Sequence, residues 1–245
     1  MQAIVNIDSR MRVRGVSDAS FEIDLRESLP LADHGVRIDS LQITNCFFTT
    51  DLGTHIFYKN GASIQWFSVP ARAYTGATLS AAIQAATGRT TSYDPDSNSI
   101  TQTIVAGQEC LSDTELKAYS AAGFPTGASP TAPLSLNSVL GDSSSVTGNQ
   151  VWHFVKMSCY DYLFLRSRRR SVENSHDPNG RHDVLLKNML VKGIGGMETA
   201  SSPDGVYMRL SRDMTLRNID FELTDFKGNV VNMRGRPMSF ELCFD

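Results

Sequence analysis

The sequence predicts an all-β protein, a sandwich of strands with one or two short helices in its loops. Most apolar segments alternate with polar residues at a period of two, which is typical of half-buried strands. Helical spacing of apolar residues occurs in only two short segments. The closing stretch alternates almost to its last residue, with Met238, Phe240, Leu242 and Phe244 on one side. We therefore expect the end of the chain to lie in a sheet.

The first half of the chain contains five candidate strands, at residues 1–8, 20–25, 36–48, 55–59 and 63–69. The alternation in the third strand is interrupted once, which predicts a β-bulge near Ser40. The fourth and fifth strands are separated by Asn60-Gly61, a pair that favours the left-handed positions of a tight turn. These two strands should therefore form a hairpin.

Two segments predict helices. Apolar residues recur at helical spacing within residues 79–86, with Thr78 as the candidate N-cap and Gly88 as the C-terminal stop. A capping-box pattern at residues 112–115 begins the second helix, which should end at Gly123. Both helices are short and follow strands, so we expect them in the loops of a β fold.

The second half begins with a segment rich in Pro, Ser, Thr and Gly, residues 124–150, which predicts a long surface loop. Further strands are expected at 151–159, 162–166, 184–194, 206–210 and 214–224, and the last of these should form a hairpin with the closing strand. Eight or more strands with short helices in the loops are typical of a jelly-roll sandwich. We expect one jelly-roll domain over residues 1–245, with an insertion around 124–150.

Composition limits the classes of function. The chain has 245 residues and a net charge of −3, so it lacks the overall basic character of a nucleic-acid-binding protein, and protein partners are favoured. The four cysteines are far apart with no C-x-x-C pair, which favours buried free thiols over disulfides. No apolar stretch is long enough for a signal peptide or a membrane span, so neither is expected.

Residues with possible chemistry are few. His176-Asp177 and His182-Asp183 flank one turn and have the side chains of a divalent metal site, but without a Cys or third His we interpret them as a solvated turn. A G-x-S-x-G nucleophile motif is missing, and the glycines of residues 193–196 lack the last glycine of a nucleotide-binding loop. The sequence therefore predicts no enzyme, no metal and no cofactor.

A basic run is the strongest candidate for a contact site. Arg166, Arg168, Arg169 and Arg170 follow a predicted core strand. Arginine side chains bind carboxylates and phosphates through paired hydrogen bonds, so the run could contact acidic residues of a neighbouring subunit or a packaged genome. We favour the subunit contact because the protein as a whole is acidic. The arginines of the N-terminal segment support either alternative: Arg10, Arg12 and Arg14.

Four sequence blocks, in order, resemble one protein family. They are I-D-S-R-M-R at residues 7–12, W-F-S-V-P-A-R-A-Y-T-G-A-T-L-S-A-A-I-Q-A-A-T-G followed by S-Y-D-P-D-S-N-S-I in residues 66–100, Y-L-F-L-R-S at 162–167, and L-T-D-F-K-G-N-V-V with M-S-F-E-L-C-F at the end. Together these blocks resemble the penton, or minor capsid, proteins of virophages, polinton-like viruses and relatives.

The resemblance implies a structural role without catalysis: a single jelly roll that forms pentamers at the five-fold vertices of an icosahedral virion. The implied partners are other copies of the chain, the major capsid protein and, on the inner face, genome DNA, with assembly in the host cytoplasm or nucleus. The trimeric major capsid proteins of the same viral lineage carry two fused jelly rolls and need a far longer chain.

Two other classes remain open. A carbohydrate- or receptor-binding β-sandwich could stack sugars on Trp66, Tyr74 and Tyr119, although tryptophans inside strand patterns are more often core residues. A cupin-type enzyme needs a set of strand histidines, and His55 and His153 are too few.

Overall fold

A computed structural model describes residues 3–31, 35–122, 135–146, 148–167, 183–190, 192–203, 207–209 and 214–244. Its strands are, in chain order, β1 (Ala3–Asp8), β2 (Arg14–Ser17), β3 (Ser20–Leu31), β4 (Gly35–Thr44), β5 (His55–Asn60), β6 (Ser63–Ser68), β7 (Thr91–Asp94), β8 (Ser99–Thr103), β9 (Gln108–Cys110), β10 (Ser143–Val146), β11 (Asn149–Trp152), β12 (Tyr162–Arg166), β13 (Val184–Met189), β14 (Met197–Ala200), β15 (Met208–Arg209), β16 (Met214–Thr224) and β17 (Met238–Phe244). The helices are α1 (Gly76–Thr87), α2 (Asp113–Ala122) and α3 (Asn137–Leu140), and Ser9–Met11 forms one turn of 3₁₀-helix.

The chain divides into two compact units. Unit 1 consists of Met1–Cys46 and Tyr160–Asp245, and unit 2 of Phe47–Cys159. Unit 2 is thus an insertion between β4 and β12. This division differs from the expected single domain with an insertion at 124–150, because residues 47–159 pack mainly among themselves.

Unit 1 contains two antiparallel sheets. The first has the strand order β1-β17-β4-β14, with β15 also beside β4, and the second has the order β13-β12-β16-β3-β2. Without the short β2 and β15, eight strands remain, and they pair first with last, second with seventh, third with sixth and fourth with fifth. This nested pairing produces two Greek keys, so unit 1 is a jelly roll, and the predicted fold class is confirmed.

The core of unit 1 lies between its two sheets. Phe221 of β16 and Phe240 of β17 meet edge to face with ring centroids 4.8 Å apart. Both rings are buried, as are Leu223, Leu242 and Phe244, so the predicted core positions are confirmed. The predicted closing hairpin is wrong, however, because β16 and β17 belong to different sheets. Alternation in a sequence reports which side of a strand is buried but not which strand lies beside it.

The predicted bulge in β4 is present. Ser239 of β17 pairs with Gln42 of β4, and Glu241 pairs with Asp39. Between these pairs β4 has two residues, Ser40 and Leu41, where β17 has only Phe240, which is a β-bulge. Ser40 has a φ of 51°, which lies in the left-handed region. Its backbone N–H donates to the Asp39 carboxylate at 2.8 Å and to the Ser201 hydroxyl at 3.2 Å, which anchors the bulge.

Strand register places four connections at one end of unit 1. β1 and β4 end there, since Asp8 pairs with Ser239 and Thr44 with Met197. In the other sheet β16 and β13 also end at this edge. The connections β1–β3, β4–β12, β13–β14 and β16–β17 therefore all leave the same end, which we call the loop end.

Unit 2 contains two further sheets, with strand orders β10-β11-β8-β7 and β6-β5-β9. The expected hairpin around Asn60-Gly61 is formed by β5 and β6. Helix α1 begins three residues before the expected position, because Thr75 is the N-cap and Thr78 completes the capping box from inside the helix. The predicted C-terminal end of α1 at Gly88 is confirmed, since Gly88 caps the helix with a left-handed φ of 69°.

The predicted loop at 124–150 is wrong for its second part. Residues 135–146 and 148–150 contain α3, β10 and the start of β11, while 123–134 and 147 lie outside the described residues. β10 is Ser143–Val146 and mostly exposed, so its sequence has no apolar alternation to reveal it. The strand predicted at 151–159 ends already at Trp152, and Phe154 turns the chain with a φ of 55°.

Candidate functional site

Arg166, the first residue of the predicted contact site, lies in the interior of unit 1 with 1% of its surface exposed. Its Nη1 donates to Asp183 Oδ1 at 2.7 Å and its Nε donates to Thr224 Oγ1 at 2.9 Å. The guanidinium also lies 5.3 Å from the centre of the Phe164 ring. Arg166 therefore stabilises the second sheet and does not present its charge at the surface of the chain.

The other members of the basic run, Arg168, Arg169 and Arg170, lie outside the described residues, so their contact role stays a prediction. His176, Asp177 and His182 also lie outside. Asp183 is described, and its carboxylate accepts the hydrogen bond from Arg166. Within the described ranges, no three His, Cys, Asp or Glu side chains come close enough together to hold a metal ion.

The aromatic residues considered for sugar stacking do not share an exposed platform. Tyr74 is 4% exposed, and its hydroxyl donates to the Pro70 carbonyl at 2.7 Å. Trp66 and Tyr119 pack against a small core cluster in unit 2. Of the strand histidines, His55 lies against the Trp66 ring, with centroids 5.1 Å apart. This arrangement gives the side chains packing roles.

The remaining motifs also have structural roles. The glycines at 193–196 form a turn between β13 and β14, closed by a hydrogen bond from Gly196 N–H to the Gly193 carbonyl. All four cysteines are free, and two of them, Cys159 and Cys243, are buried as predicted, whereas Cys46 and Cys110 are half-buried. Burial raises the pKa of the Cys159 thiol to about 12, so it is protonated at neutral pH and is a poor nucleophile. None of the helices in the described parts of the chain is long and apolar enough to cross a membrane.

Large apolar side chains are exposed at the loop end. Within the described part of unit 1, every exposed large apolar residue except Ile4 lies at this end. We define the loop-end surface by seven of these eight residues: Met11, Val13, Val16, Ile194, Met197, Phe226 and Val230. The eighth is Tyr162, which is 38% exposed and has the Lys187 ammonium 3.8 Å from its ring centre. Val16 is 92% exposed and Met11 67%, which is unusual for side chains whose transfer from water is favourable.

Hydrogen bonds hold the segments that carry these side chains. At the end of β4, Asn45 N–H donates to the Gly196 carbonyl at 2.8 Å, and the Asn45 carbonyl accepts from Gly195 N–H at 2.7 Å. In the β16–β17 connection, the buried Asp225 carboxylate accepts from the backbone N–H groups of Lys227 and Asn229 at 2.8 and 2.9 Å. The turn that presents Phe226 is therefore ordered before any partner binds.

The loop end is also basic. Residues 9–19, 190–196 and 225–237 contain seven Lys or Arg against two Asp, a net charge of +5. Since the whole chain carries −3, the remainder carries −8. Two of the arginines already have partners, because Arg10 pairs with Asp8 and Arg12 with Asp18. The surface thus combines apolar side chains with a surplus of positive charge.

Sequence reasoning found the arginines of this surface but missed its apolar residues. A usable signal was present: in R-M-R-V-R-G-V and D-F-K-G-N-V-V, apolar residues stand among charges and turn residues, outside any strand alternation. Five of the six apolar residues in these two segments are exposed, and the exception, Val231, is buried. Recognising that the two segments lie at the same end requires the strand register.

The fold defines the protein as a jelly-roll β protein in which unit 2 is inserted between β4 and β12, the third and fourth of the eight jelly-roll strands. In comparisons with known proteins, the crystal structure of mavirus penton protein matches 100% of this chain and 99% of that chain, with a TM-score of 0.51 and 8% sequence identity. A chain of the Sputnik virophage cryo-EM structure matches 99% of this chain and 97% of that chain, with a TM-score of 0.48 and 12% identity.

No family model and no curated protein matches the sequence. The resemblance to virophage penton proteins is thus confirmed at the level of the fold, over the full length of the chain.

Proposed function

We propose that this protein is a structural subunit of a viral capsid, a penton whose five copies close a ring at each five-fold vertex of an icosahedral virion. The observation that carries the proposal is the fold shared with mavirus penton protein from one end of the chain to the other, inserted unit included. A shared fold does not by itself imply a shared function, so the assembly needs its own test.

Two features of the chain support an assembly role. Exposed apolar side chains are concentrated at one end of the jelly roll, as is common where a protein surface meets another protein. Among the candidate side chains that the structure describes, Arg166 forms a buried ion pair with Asp183 and Tyr74 is buried with its hydroxyl bonded to the Pro70 carbonyl. In this proposal, contacts between subunits are the whole mechanism, and no substrate is turned over.

The proposed partners are other copies of the chain and the major capsid protein, with genome DNA a further partner of the inner face. We propose that Arg168, Arg169 and Arg170 contact carboxylates of a neighbouring subunit. Charge-assisted arginine–carboxylate pairs orient two proteins as well as attract them, which a closed ring requires.

The mass of the purified protein in solution tests the proposal. We expect mass photometry and analytical ultracentrifugation to find a particle of five times the 26.9 kDa chain. A protein that stays monomeric at every accessible concentration, and in particular one that also binds a glycan array, would be a β-sandwich binding module instead.

A further inference from the structure

We propose that the loop-end surface is where copies of this chain meet, and that it binds an acidic surface of the neighbouring copy, not the equivalent loop end. The inference rests on the proposed capsid function, since it names the surface through which the subunits join. It assigns a contact role to seven apolar residues of unit 1 and to the basic residues among them.

The first argument is the distribution of apolar exposure. Phe226 is 59% exposed, Ile194 52% and Met197 54%, whereas the aromatic side chains of the adjacent strands, such as Phe221 and Phe240, are buried. Burying such side chains against another protein is favourable in proportion to the area removed from water. A second copy that covers them would remove this unfavourable exposure.

The second argument is the order of the surface before binding. The Phe226 turn is held by the Asp225 carboxylate, and the Ile194 turn is held to Asn45 by two backbone hydrogen bonds. The β16–β17 connection is fixed to the end of β4 as well, since Arg234 Nη1 donates to the Cys46 carbonyl at 3.2 Å. Because these turns are already ordered, association loses little conformational entropy there.

The third argument is charge, and it distinguishes contact between unlike surfaces from contact between equivalent loop ends. Two loop ends, each with a surplus of +5, would repel one another, whereas the remainder of the chain carries −8. Opposite charges favour contact between two different surfaces of neighbouring copies. Such a heterologous contact gives a ring where the rotation between copies closes and an open filament where it does not, whereas contact between equivalent surfaces gives a two-fold dimer. The charge distribution therefore favours the heterologous contact that a ring requires.

Other occupants fit less well. Single-stranded nucleic acid would be expected to stack on several open aromatic rings. The exposed aromatic side chains at the loop end are Phe226 and Tyr162, and the Lys187 ammonium already lies 3.8 Å from the Tyr162 ring centre. An anionic lipid surface would use the same combination of apolar and basic side chains, so it is an outcome to be separated by experiment.

The first experiment introduces charge into the apolar surface. The double variant Val16→Asp, Phe226→Asp should remain folded, because both side chains are exposed, and its dissociation constant for assembly should rise about tenfold or more. The matched control is Val105→Asp, Val146→Asp, which changes two exposed residues of unit 2 and should assemble like the unmodified chain. Mass photometry over a concentration series measures both, and thermal unfolding checks the fold.

The second experiment should change the strength of assembly in opposite directions for a contact between unlike surfaces and for a contact between equivalent loop ends. Neutralising the loop end with Lys227→Gln, Arg236→Gln should weaken assembly if this surface meets an acidic one, and added salt should weaken the unmodified assembly in the same direction. If equivalent loop ends met, the same variant would associate more tightly. Lys117→Gln, Arg26→Gln is the control, since both side chains are exposed and neither belongs to the segments that form the loop end.

The results separate the two proposals. An unmodified chain that never forms a ring contradicts the capsid function itself. An unmodified ring, together with an aspartate variant that assembles equally well, overturns only the assignment of the loop end. Intact assembly of that variant with loss of binding to phosphatidylserine vesicles would assign the surface to lipid, and tighter association of the neutralised variant would overturn the heterologous contact.

Discussion

The Arg166 guanidinium is held inside unit 1 by Asp183, Thr224 and the Phe164 ring. Removing a charge from water costs several kcal/mol, and an ion pair with good geometry offsets much of that cost. Without the arginine, the Asp183 carboxylate and the Thr224 hydroxyl would lose their partner. This residue therefore acts on the stability of the fold.

We expect Arg166→Ala to lower the free energy of unfolding by about 3 kcal/mol or more, since breaking a buried ion pair leaves the other charge uncompensated. The double variant Arg166→Met, Asp183→Asn should recover part of this loss, because it removes both charges. Chemical denaturation of the two variants measures the difference. An Arg166→Ala protein as stable as the unmodified chain would mean that the guanidinium is solvated.

Single residues also determine the stability of the aromatic core. Phe240 contacts Phe221 across the two sheets and is 2% exposed, so Phe240→Ala should cost about 3 to 5 kcal/mol through lost burial and the cavity left behind. Phe154→Ala is the control, because that ring is 81% exposed and its removal should leave the melting temperature almost unchanged. Equal melting temperatures for the two variants would contradict the sandwich core.

At the scale of the element, the β4 bulge shows how one residue bends a strand. Ser40 adopts a left-handed backbone, which costs an ordinary residue roughly 1 to 2 kcal/mol, and its neighbours Asp39 and Ser201 hold it there. The bulge shifts the register between β4 and β17, and the residues beyond it keep their apolar side chains toward the core.

Ser40→Gly should therefore raise the melting temperature, with a gain in stability of up to about 1 kcal/mol, because glycine adopts the left-handed region without strain. Ser239→Gly, on the opposing strand, should have the reverse effect, since glycine in an extended strand loses more entropy on folding. Calorimetry of both variants checks the pair. Destabilisation by Ser40→Gly would show that the serine hydroxyl contributes more than the backbone strain costs.

At the scale of the whole molecule, jelly-roll topology brings separate parts of the sequence to one end of unit 1. Residues 9–19 and 225–237 are far apart in the chain, yet both leave the loop end because β1 pairs with β17. The result is a segregation of charge and apolar surface that no single segment has. Such segregation favours contact between unlike surfaces of neighbouring copies.

The basic run is tested on the assembled protein. If Arg168, Arg169 and Arg170 join subunits, replacing all three with Ala should weaken the ring, and salt should weaken it too. If they contact the genome, the ring should be unchanged and the salt dependence of DNA binding should fall by up to about three units of log–log slope. Ring assembly and DNA retention at two salt concentrations distinguish the cases, and an intact ring with lost DNA binding would refute the subunit contact.

Metal removal gives a further expectation. Because His176, Asp177, His182 and Asp183 are interpreted as a solvated turn, EDTA should leave the melting temperature unchanged. A structural metal contributes folding free energy, so its removal would lower the melting temperature by several degrees. Dialysis against EDTA, followed by thermal unfolding with and without added zinc, makes the comparison.

The sequence by itself determined the features that depend on neighbouring residues. Alternation identified the core positions of β16 and β17, one interruption located the bulge at Ser40, and Gly88 located the end of α1. These features follow from strand periodicity and from the backbone angles that each residue type tolerates, both of which act over a few residues.

Only the tertiary structure decided which distant strands pair. It placed β16 and β17 in different sheets, buried Arg166 beside Asp183, made residues 47–159 a unit of their own, and gathered Met11 and Phe226 at one end. The physical reason is that each outcome depends on contacts between segments far apart in the chain. Local periodicity is the same whichever partner a strand finds.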